Sequence, residues 1–192
     1  IFIKRTINNY LNLSNDDILN MNNLFSPKIK NLLKKNKIKN IIFTGMGSCY
    51  TAAVGISKYF SEKLNNLKIY NMKVQATIAS EGSGFYLSKN MEDSVIVVIA
   101  QSGTTIDTNV FAKMAKKRGA YTISLVNKRD GDITYIVENN LYLGNGRDVE
   151  LSVPSTKTYT CHLYLGFILA NKIISILKQN YKTELFKISK KI

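Results

Sequence analysis

Two short segments combine glycines with hydroxyl side chains, residues 45–49 (GMGSC) and 101–105 (QSGTT), and a third, residues 150–157 (ELSVPSTK), carries hydroxyl side chains without a glycine. Hydroxyl groups and free main-chain N–H groups are hydrogen-bond donors, and glycine lets a ligand approach the main chain closely. Segments of this kind bind anions where they lead into a helix, because the first N–H groups of a helix lack intrahelical partners and carry partial positive charge. The same residues also fit simple helix caps, an alternative that the sequence leaves open.

The first segment matches neither of the common nucleotide-binding loops. No Gly-Lys-Ser/Thr follows its glycines, as a Walker loop requires. Tyr50 stands where the third glycine of the dinucleotide-binding pattern G-x-G-x-x-G belongs. Nucleotides are therefore disfavoured, and a small phosphorylated ligand remains compatible with the donors.

The flanking residues place the first two segments at the carboxyl ends of apolar strands. Hydrophobic patterning predicts strands over 40–43, 73–78, 94–99, 121–126 and 141–143, and helices over 15–36 (interrupted at Ser26-Pro27), 50–64, 105–118 and 155–177. Alternating strands and helices predict an α/β fold: a three-layer, doubly wound, mostly parallel five-stranded sheet flanked by helices. Ligands of such sheets bind beyond the carboxyl ends of the strands. We expect an N-terminal helical segment (1–38), the binding domain (39–178) and a basic C-terminal tail (179–192).

Composition excludes several classes of protein. Hydrophobic residues make up 45% of the 192 residues, which excludes a disordered chain. The longest apolar runs, 95–100 and 163–170, fall short of the roughly 20 residues of a membrane span, and the first residues lack a signal-peptide pattern. Cys49, Cys161 and the single His162 match no metal-ligand spacing. We expect a cytoplasmic protein with no membrane partner, no metal and no cofactor.

The formal net charge of +14 has two interpretations: a nucleic-acid footprint, or a lysine-rich solvated surface. No recognised nucleic-acid motif accompanies the charge, and the lysines are distributed over predicted helices and both ends of the chain. We therefore predict a solvated surface, with no nucleic-acid partner, that helps to attract an anionic ligand.

These motifs resemble the SIS (sugar isomerase) domain family. The similar residues are 47–50 after a strand, AQSGTT at 100–105, Glu150 with VPSTK at 153–157, and ASE at 79–81. They are most similar to the first of the two SIS domains in the isomerase half of the glucosamine-6-phosphate synthases (glutamine–fructose-6-phosphate aminotransferases). The resemblance covers about residues 40 to 177 and implies a flavodoxin-like fold that binds a sugar phosphate of the hexose 6-phosphate type.

By that resemblance, the phosphate cradle is formed mainly by Gln101, Ser102 and Thr105. Cys49 takes the place of a serine that touches the phosphate in the family, and cysteine is the weaker donor. Ala100 replaces another serine. The further binding residues implied are Gly47, Ser48, Gly103 and Thr104 around the phosphate, with the main chain of Val153 and the side chain of Ser155 at the carbonyl end of the sugar.

Aldose–ketose isomerisation needs a base that moves a proton between two adjacent carbons of the sugar, and Glu150 is the candidate in this chain. We interpret His162 as a packed residue and Cys161 as a core residue. In the two-domain enzymes, the catalytic glutamate, the ring-opening histidine and the Schiff-base lysine lie in the second SIS domain and the C-terminal tail. Residues 178–192 of this sequence contain no second copy of the SIS pattern. The first hypothesis is therefore the binding domain of a larger phosphosugar isomerase or aminotransferase.

Two alternatives stay open. One is a self-sufficient single-SIS isomerase that uses Glu150, or His162 of a partner, as its base. The other is a non-catalytic sensor of sugar phosphates. We also expect a homodimer, or pairing with a second SIS domain, because four aromatic residues offer more surface than one small sheet covers: Tyr59, Phe60, Tyr159 and Phe167.

Overall fold

The computed structural model describes residues 2–14, 17–85, 87–146, 156–178, 181 and 183–186. The order of its elements alternates strands with helices after an N-terminal helix and a two-stranded hairpin. In chain order the elements are α1 (Phe2–Tyr10), β1 (Leu11–Asn12), β2 (Asp17–Ile18), α2 (Pro27–Lys34), β3 (Asn40–Gly45), α3 (Ser48–Asn66), β4 (Lys73–Ile78), α4 (Ala79–Phe85), β5 (Ser94–Ala100), α5 (Ile106–Lys117), β6 (Tyr121–Val126), α6 (Ile133–Ile136), β7 (Asn139–Tyr142) and α7 (Thr156–Leu177).

The main sheet has the order β4-β3-β5-β6-β7, and all four pairings are parallel. After β3 the chain adds β4 on one side and then returns to add β5 on the other side. The strand order therefore reverses between β3 and β5, and a crevice opens beyond their carboxyl ends. The predicted doubly wound α/β fold is confirmed.

Strand β5 explains why the sheet needs helices on both faces. All seven of its residues are buried. Val95, Val97 and Ile99 belong to the core that contains α3 and α7, whereas Ile96, Val98 and Ala100 belong to the core that contains α5. A strand that alternates between two apolar cores reads as one continuous hydrophobic run, as the sequence does here.

Helices α3 and α7 pack side by side and run in the same direction. A Cβ atom added to Gly55 would lie 3.0 Å from Leu163, and one added to Gly166 would lie 2.3 Å from Ile56. One turn further along both helices, the rings of Tyr59 and Phe167 stack with centroids 4.3 Å apart. Both helices therefore begin at the same edge of the sheet.

The N-terminal segment differs from the single interrupted helix predicted over 15–36. Asp17–Ile18 forms the strand β2, paired with β1, and helix α2 begins only at Pro27. Ser26 Oγ accepts a hydrogen bond from the Ile29 N–H, so Ser26-Pro27 starts a helix instead of kinking one. The helical spacing of four apolar residues predicted a helix here, but these residues are buried without one: Ile18, Met21, Leu24 and Phe25.

Part of the predicted C-terminal tail belongs to the core. Tyr181 Oη and Thr183 Oγ1 donate hydrogen bonds of 2.8 and 2.7 Å to Oδ1 of the buried Asn171 on α7. Leu185 and Phe186 are buried. The described residues of this segment therefore pack against α7.

Helix α7 is, by length and composition alone, apolar enough to cross a membrane, a property that the shorter apolar runs of the sequence did not reveal. It is the one such helix in the part of the chain that the structure describes. More than half of its apolar stretch is buried against the rest of the fold, and a buried core helix passes the same test of composition.

The contact between Gly166 and Ile56 leads to a test of packing. Gly166→Ala places a methyl group within 3 Å of three atoms of the Ile56 side chain, and such overpacking costs about 1–3 kcal/mol of unfolding free energy. The matched control is Gly84→Ala on α4, where an added Cβ meets nothing within 4 Å. Urea denaturation is expected to show a loss of stability for Gly166→Ala alone. Equal midpoints for the two variants would contradict this account of the helix pair.

Candidate functional site

The segments after β3 and β5 meet at the crevice. Gly45 ends β3, and a Cβ atom at this position would lie 3.0 Å from the carbonyl oxygen of Ile99 and 2.9 Å from Cys49. The main-chain N–H of Gln101 lies next to the sulfur of Cys49. The structure thus brings together the two segments that the sequence placed at strand ends.

The first segment leaves the start of helix α3 open. Gly47 is the N-cap residue, with φ 56° and ψ −128°, and no side chain caps the helix. An added Cβ at Gly47 would meet nothing within 4 Å, and Ser48 is exposed. The Cys49 N–H donates a hydrogen bond of 3.1 Å to the Met46 carbonyl, which leaves the other N–H groups in the first turn of α3 as donors for an anion.

The second segment presents its hydroxyl groups next to another uncapped helix. Thr105 is the N-cap residue of α5, but its side chain makes no capping hydrogen bond. Ser102 Oγ lies 2.9 Å from Thr104 Oγ1 and accepts a hydrogen bond from the Thr104 N–H. Thr104 and Thr105 are exposed. Simple capping, the alternative left open by the sequence, does not describe the hydroxyl groups of 102–105.

The second segment is held in shape by residues that the sequence analysis did not identify. Gly103 has φ +75°, and its carbonyl accepts hydrogen bonds from the Ile133 N–H (2.9 Å) and from Asn109 Nδ2 (3.2 Å). A Cβ atom at Gly131 would lie 2.3 Å from the carbonyl oxygen of Ser102. The one signal for this contact in the sequence was the turn residue Gly131 between two aspartates. These contacts fix the main chain of the loop at Ser102 and Gly103.

Glu150, Val153 and Ser155 lie outside the described residues, so their placement stays a prediction. The described part of the third segment begins at Thr156, the first residue of α7. Because α3 and α7 run in parallel and share contacts in step, Thr156 lies at the same edge of the sheet as Ser48. Three helices therefore begin at the edge that carries the crevice.

Burial keeps two ionisable groups next to the crevice, Cys49 and His162, in their neutral forms. Burial raises the pKa of the Cys49 thiol to about 11, and the Gln101 N–H that stabilises the thiolate offsets only part of this effect. Burial likewise lowers the pKa of His162 to about 4, and the nearby main chain at Ala100 and Leu125 opposes this effect only in part. Both groups are uncharged near neutral pH.

His162 and Cys161 are 1% and 0% exposed, which confirms their interpretation as packed residues. His162 lies beneath the carboxyl ends of β5 and β6, where its ring contacts the main chain. A base must reach the substrate, so a catalytic role for a partner's His162 is wrong. Within the described ranges, no group of three or more His, Cys, Asp and Glu side chains is placed to hold a metal ion.

A separate cavity of about 690 Å³ lies beside β7, between helix α1 and the 144–146 turn. Its polar groups largely pair with one another. Asn9 Nδ2 donates to the carbonyl of Gly144 at 2.5 Å, Tyr10 Oη donates to the carbonyl of Tyr142 at 3.0 Å, and Arg129 stacks on the Tyr142 ring. These contacts hold the turn after β7 against α1.

Comparison with known proteins then decides the family. The model of the SIS domain matches residues 34–172. The chain belongs to the SIS domain family. Two curated relatives are glutamine–fructose-6-phosphate aminotransferases (isomerizing). The one from Pyrococcus horikoshii is 33% identical over 151 residues, which are 77% of this chain and 23% of the relative. The one from Clostridium tetani is 35% identical over 137 residues, 70% of this chain and 21% of the relative.

Solved structures show the same SIS fold. The C-terminal domain of glucosamine-fructose-6-phosphate aminotransferase from Francisella tularensis superposes with a TM-score of 0.74 at 22% identity, covering 99% of this chain and 49% of that one. Glucosamine-6-phosphate deaminase from Thermotoga maritima gives a TM-score of 0.61 at 24% identity, covering 83% and 50%. This SIS chain therefore spans about a quarter of the curated relatives and about half of these solved chains.

The buried His162 predicts a dependence of stability on pH. The pKa of its imidazole is about 4 in the folded protein and 6.5 ordinarily, so the unfolded chain binds more protons between these values. The stabilisation is complete above pH 6.5 and is lost as the pH falls towards 4, a change of about 3 kcal/mol in unfolding free energy.

Urea denaturation between pH 4.5 and 7.5 tests this expectation, with His162→Gln as the comparison because it removes the titrating group. We expect a shallower pH dependence for the variant. Because the chain has a single histidine, its proton NMR signal also gives the folded pKa without ambiguity. Parallel pH profiles for the two proteins, or a histidine that titrates near 6.5, would contradict the assignment.

Proposed function

We propose that this chain is the phosphosugar-binding SIS domain of a sugar-phosphate isomerase or aminotransferase, and that it binds a hexose 6-phosphate. The observation that carries the proposal is the meeting of two uncapped helix starts, those of α3 and α5, at the reversal point of the sheet. The motifs of the SIS family and the aminotransferase relatives support it.

In this proposal the phosphate lies between residues 47–49 and 101–105. The first N–H groups of α3 and α5 and the hydroxyl groups of Ser48, Ser102 and Thr105 are the donors. The neutral sulfur of Cys49 faces the Gln101 N–H of the other loop and not the phosphate. The neighbouring Ser48 provides the hydroxyl group on this side. The sugar then extends towards Val153 and Ser155, and binding needs no cofactor.

The first functional prediction concerns affinity. A hydrogen bond to a charged group contributes about 1.5–3 kcal/mol, so Ser102→Ala or Thr105→Ala is expected to weaken binding of glucose 6-phosphate about tenfold or more. Ser175→Ala, at the far end of α7, is the matched control and leaves affinity unchanged. Isothermal titration calorimetry measures all three. Equal affinity of the unaltered protein for glucose and glucose 6-phosphate would refute the phosphate site.

The alternative of a self-sufficient isomerase has no specific observation in its favour. With His162 buried, Glu150 is the remaining candidate base that the sequence analysis named. A sensor of sugar phosphates needs the same cradle and no base. Holding a substrate by its phosphate stabilises the ground state and the transition state alike, so the cradle alone lowers Kd without raising turnover.

The second functional prediction is therefore a negative one. The 192-residue chain is expected to bind a sugar phosphate. It is expected to show no interconversion of fructose 6-phosphate and glucose 6-phosphate, or of their amino analogues, above background. A coupled assay measures this. Turnover that disappears in Glu150→Gln, with binding retained, would establish the single-domain isomerase in place of the proposed role.

We also propose that the domain pairs, either with a second copy or with a second SIS domain, and that it acts in the cytoplasm. The aromatic argument for pairing is weakened, because Phe60 is fully buried and Tyr59 stacks on Phe167 within the chain. A different surface supports the proposal: Ile106 and Val110 on α5 are 76% and 40% exposed beside the crevice.

A further inference from the structure

The lysines are not evenly distributed over the folded chain. Seven exposed lysines lie at the amino-terminal edge of the main sheet, opposite the candidate site, where helices α2, α3 and α7 end and strands β3 and β4 begin. We call this surface the basic edge: Lys34, Lys35, Lys37, Lys39, Lys68, Lys73 and Lys178.

The basic edge surrounds a cavity of about 450 Å³. Its lining includes Asn36, Lys68 and Lys178 above an apolar floor of Leu67 and Leu177. The turns on either side are fixed by main-chain hydrogen bonds, from Ile69 N–H to the Leu64 carbonyl (2.9 Å) and from Lys73 N–H to the Lys39 carbonyl (2.7 Å). The cavity and the lysines beside it are thus presented by well-defined turns.

Tyr70 also lines this cavity, yet it is 74% exposed. A large aromatic ring left in solvent beside several ammonium groups gains little from the fold itself. Single-stranded nucleic acids are bound by this combination, in which lysines neutralise phosphates and an aromatic ring stacks on an unpaired base.

The charge of the basic edge is not explained by ion pairing. Asp93, at the start of β5, accepts hydrogen bonds from Asn40 and Ser94. Neither of the ion pairs found among the described residues, Lys63–Glu184 and Lys116–Glu138, involves a lysine of the edge.

Helix C-termini favour lysines that directly end a helix, such as Lys34 and Lys178, because of the negative end of the macrodipole. That effect does not extend to Lys39 and Lys73, which flank the starts of strands, nor to the exposed ring of Tyr70.

In place of the solvated surface without a nucleic-acid partner that composition predicted, we propose that the basic edge binds single-stranded nucleic acid. Tyr70 is the stacking residue, and the neighbouring lysines are the phosphate contacts. Protein–protein interfaces are depleted in lysine, which favours a nucleic acid over an acidic protein as the occupant. A duplex offers no unstacked base to Tyr70. The proposal is independent of the sugar-phosphate site, which lies at the other edge of the sheet.

Fluorescence anisotropy with a labelled 15-nucleotide oligothymidine tests the proposal. With about four lysine contacts, the logarithm of the association constant is expected to fall with that of salt concentration with a slope of about −3. Tyr70→Ala is expected to weaken binding about tenfold, since each stacked base contributes substantially. Lys68→Glu is expected to weaken it further and to flatten the slope.

The matched control is Lys113→Glu, an exposed position on α5 that changes net charge by the same amount. It should leave binding nearly unchanged. Equal losses for Lys68→Glu and Lys113→Glu, or no effect of Tyr70→Ala, would reduce the interaction to non-specific attraction and overturn the proposal. Polyglutamate or duplex DNA competing as well as the single strand would also overturn it. Unchanged affinity of Lys68→Glu for glucose 6-phosphate would separate this result from that of the other site.

Discussion

The close approach of Gly45 to the Ile99 carbonyl is the contact on which the arrangement of the crevice depends. Because no side chain lies between the ends of β3 and β5, the loops that follow these two strands lie next to each other. The Gln101 N–H then reaches the sulfur of Cys49, and the starts of α3 and α5 open towards the same space. Any larger residue at position 45 would have to displace either the β5 carbonyl or the first turn of α3.

The polarity of the molecule follows from this arrangement. Helices α3, α5 and α7 begin at the carboxyl edge of the sheet, where the neutral Cys49 and His162 add no charge of their own near neutral pH. The oriented main-chain N–H groups at the starts of these helices carry partial positive charge, which favours an anion at this edge. A group of seven exposed lysines lies at the opposite edge, where α2, α3 and α7 end.

The sheet could be predicted from the sequence because buried parallel strands appear as uninterrupted apolar runs; the bounds of β4 and β6 agree residue for residue. Residues 17–26 could not, because their apolar side chains pack against the core without helical geometry, as the hydrogen bond from Tyr121 Oη to the Leu24 carbonyl shows. The meeting of the two loops was predictable from strand ends. The support of Gly103 by Asn109 and Gly131 was not, since it depends on a contact between turns that sequence patterning does not record.

Helix α3 joins the two edges of the sheet. Its 19 residues span about 28 Å, with Gly47 at the crevice and Leu67, beside Tyr70, at the opposite end. The glycine contacts hold α3 close against α7 between these two ends. Thermodynamic reciprocity then fixes one relation: whatever factor an occupant of the crevice imposes on affinity at the far end, an occupant there imposes the same factor on the crevice.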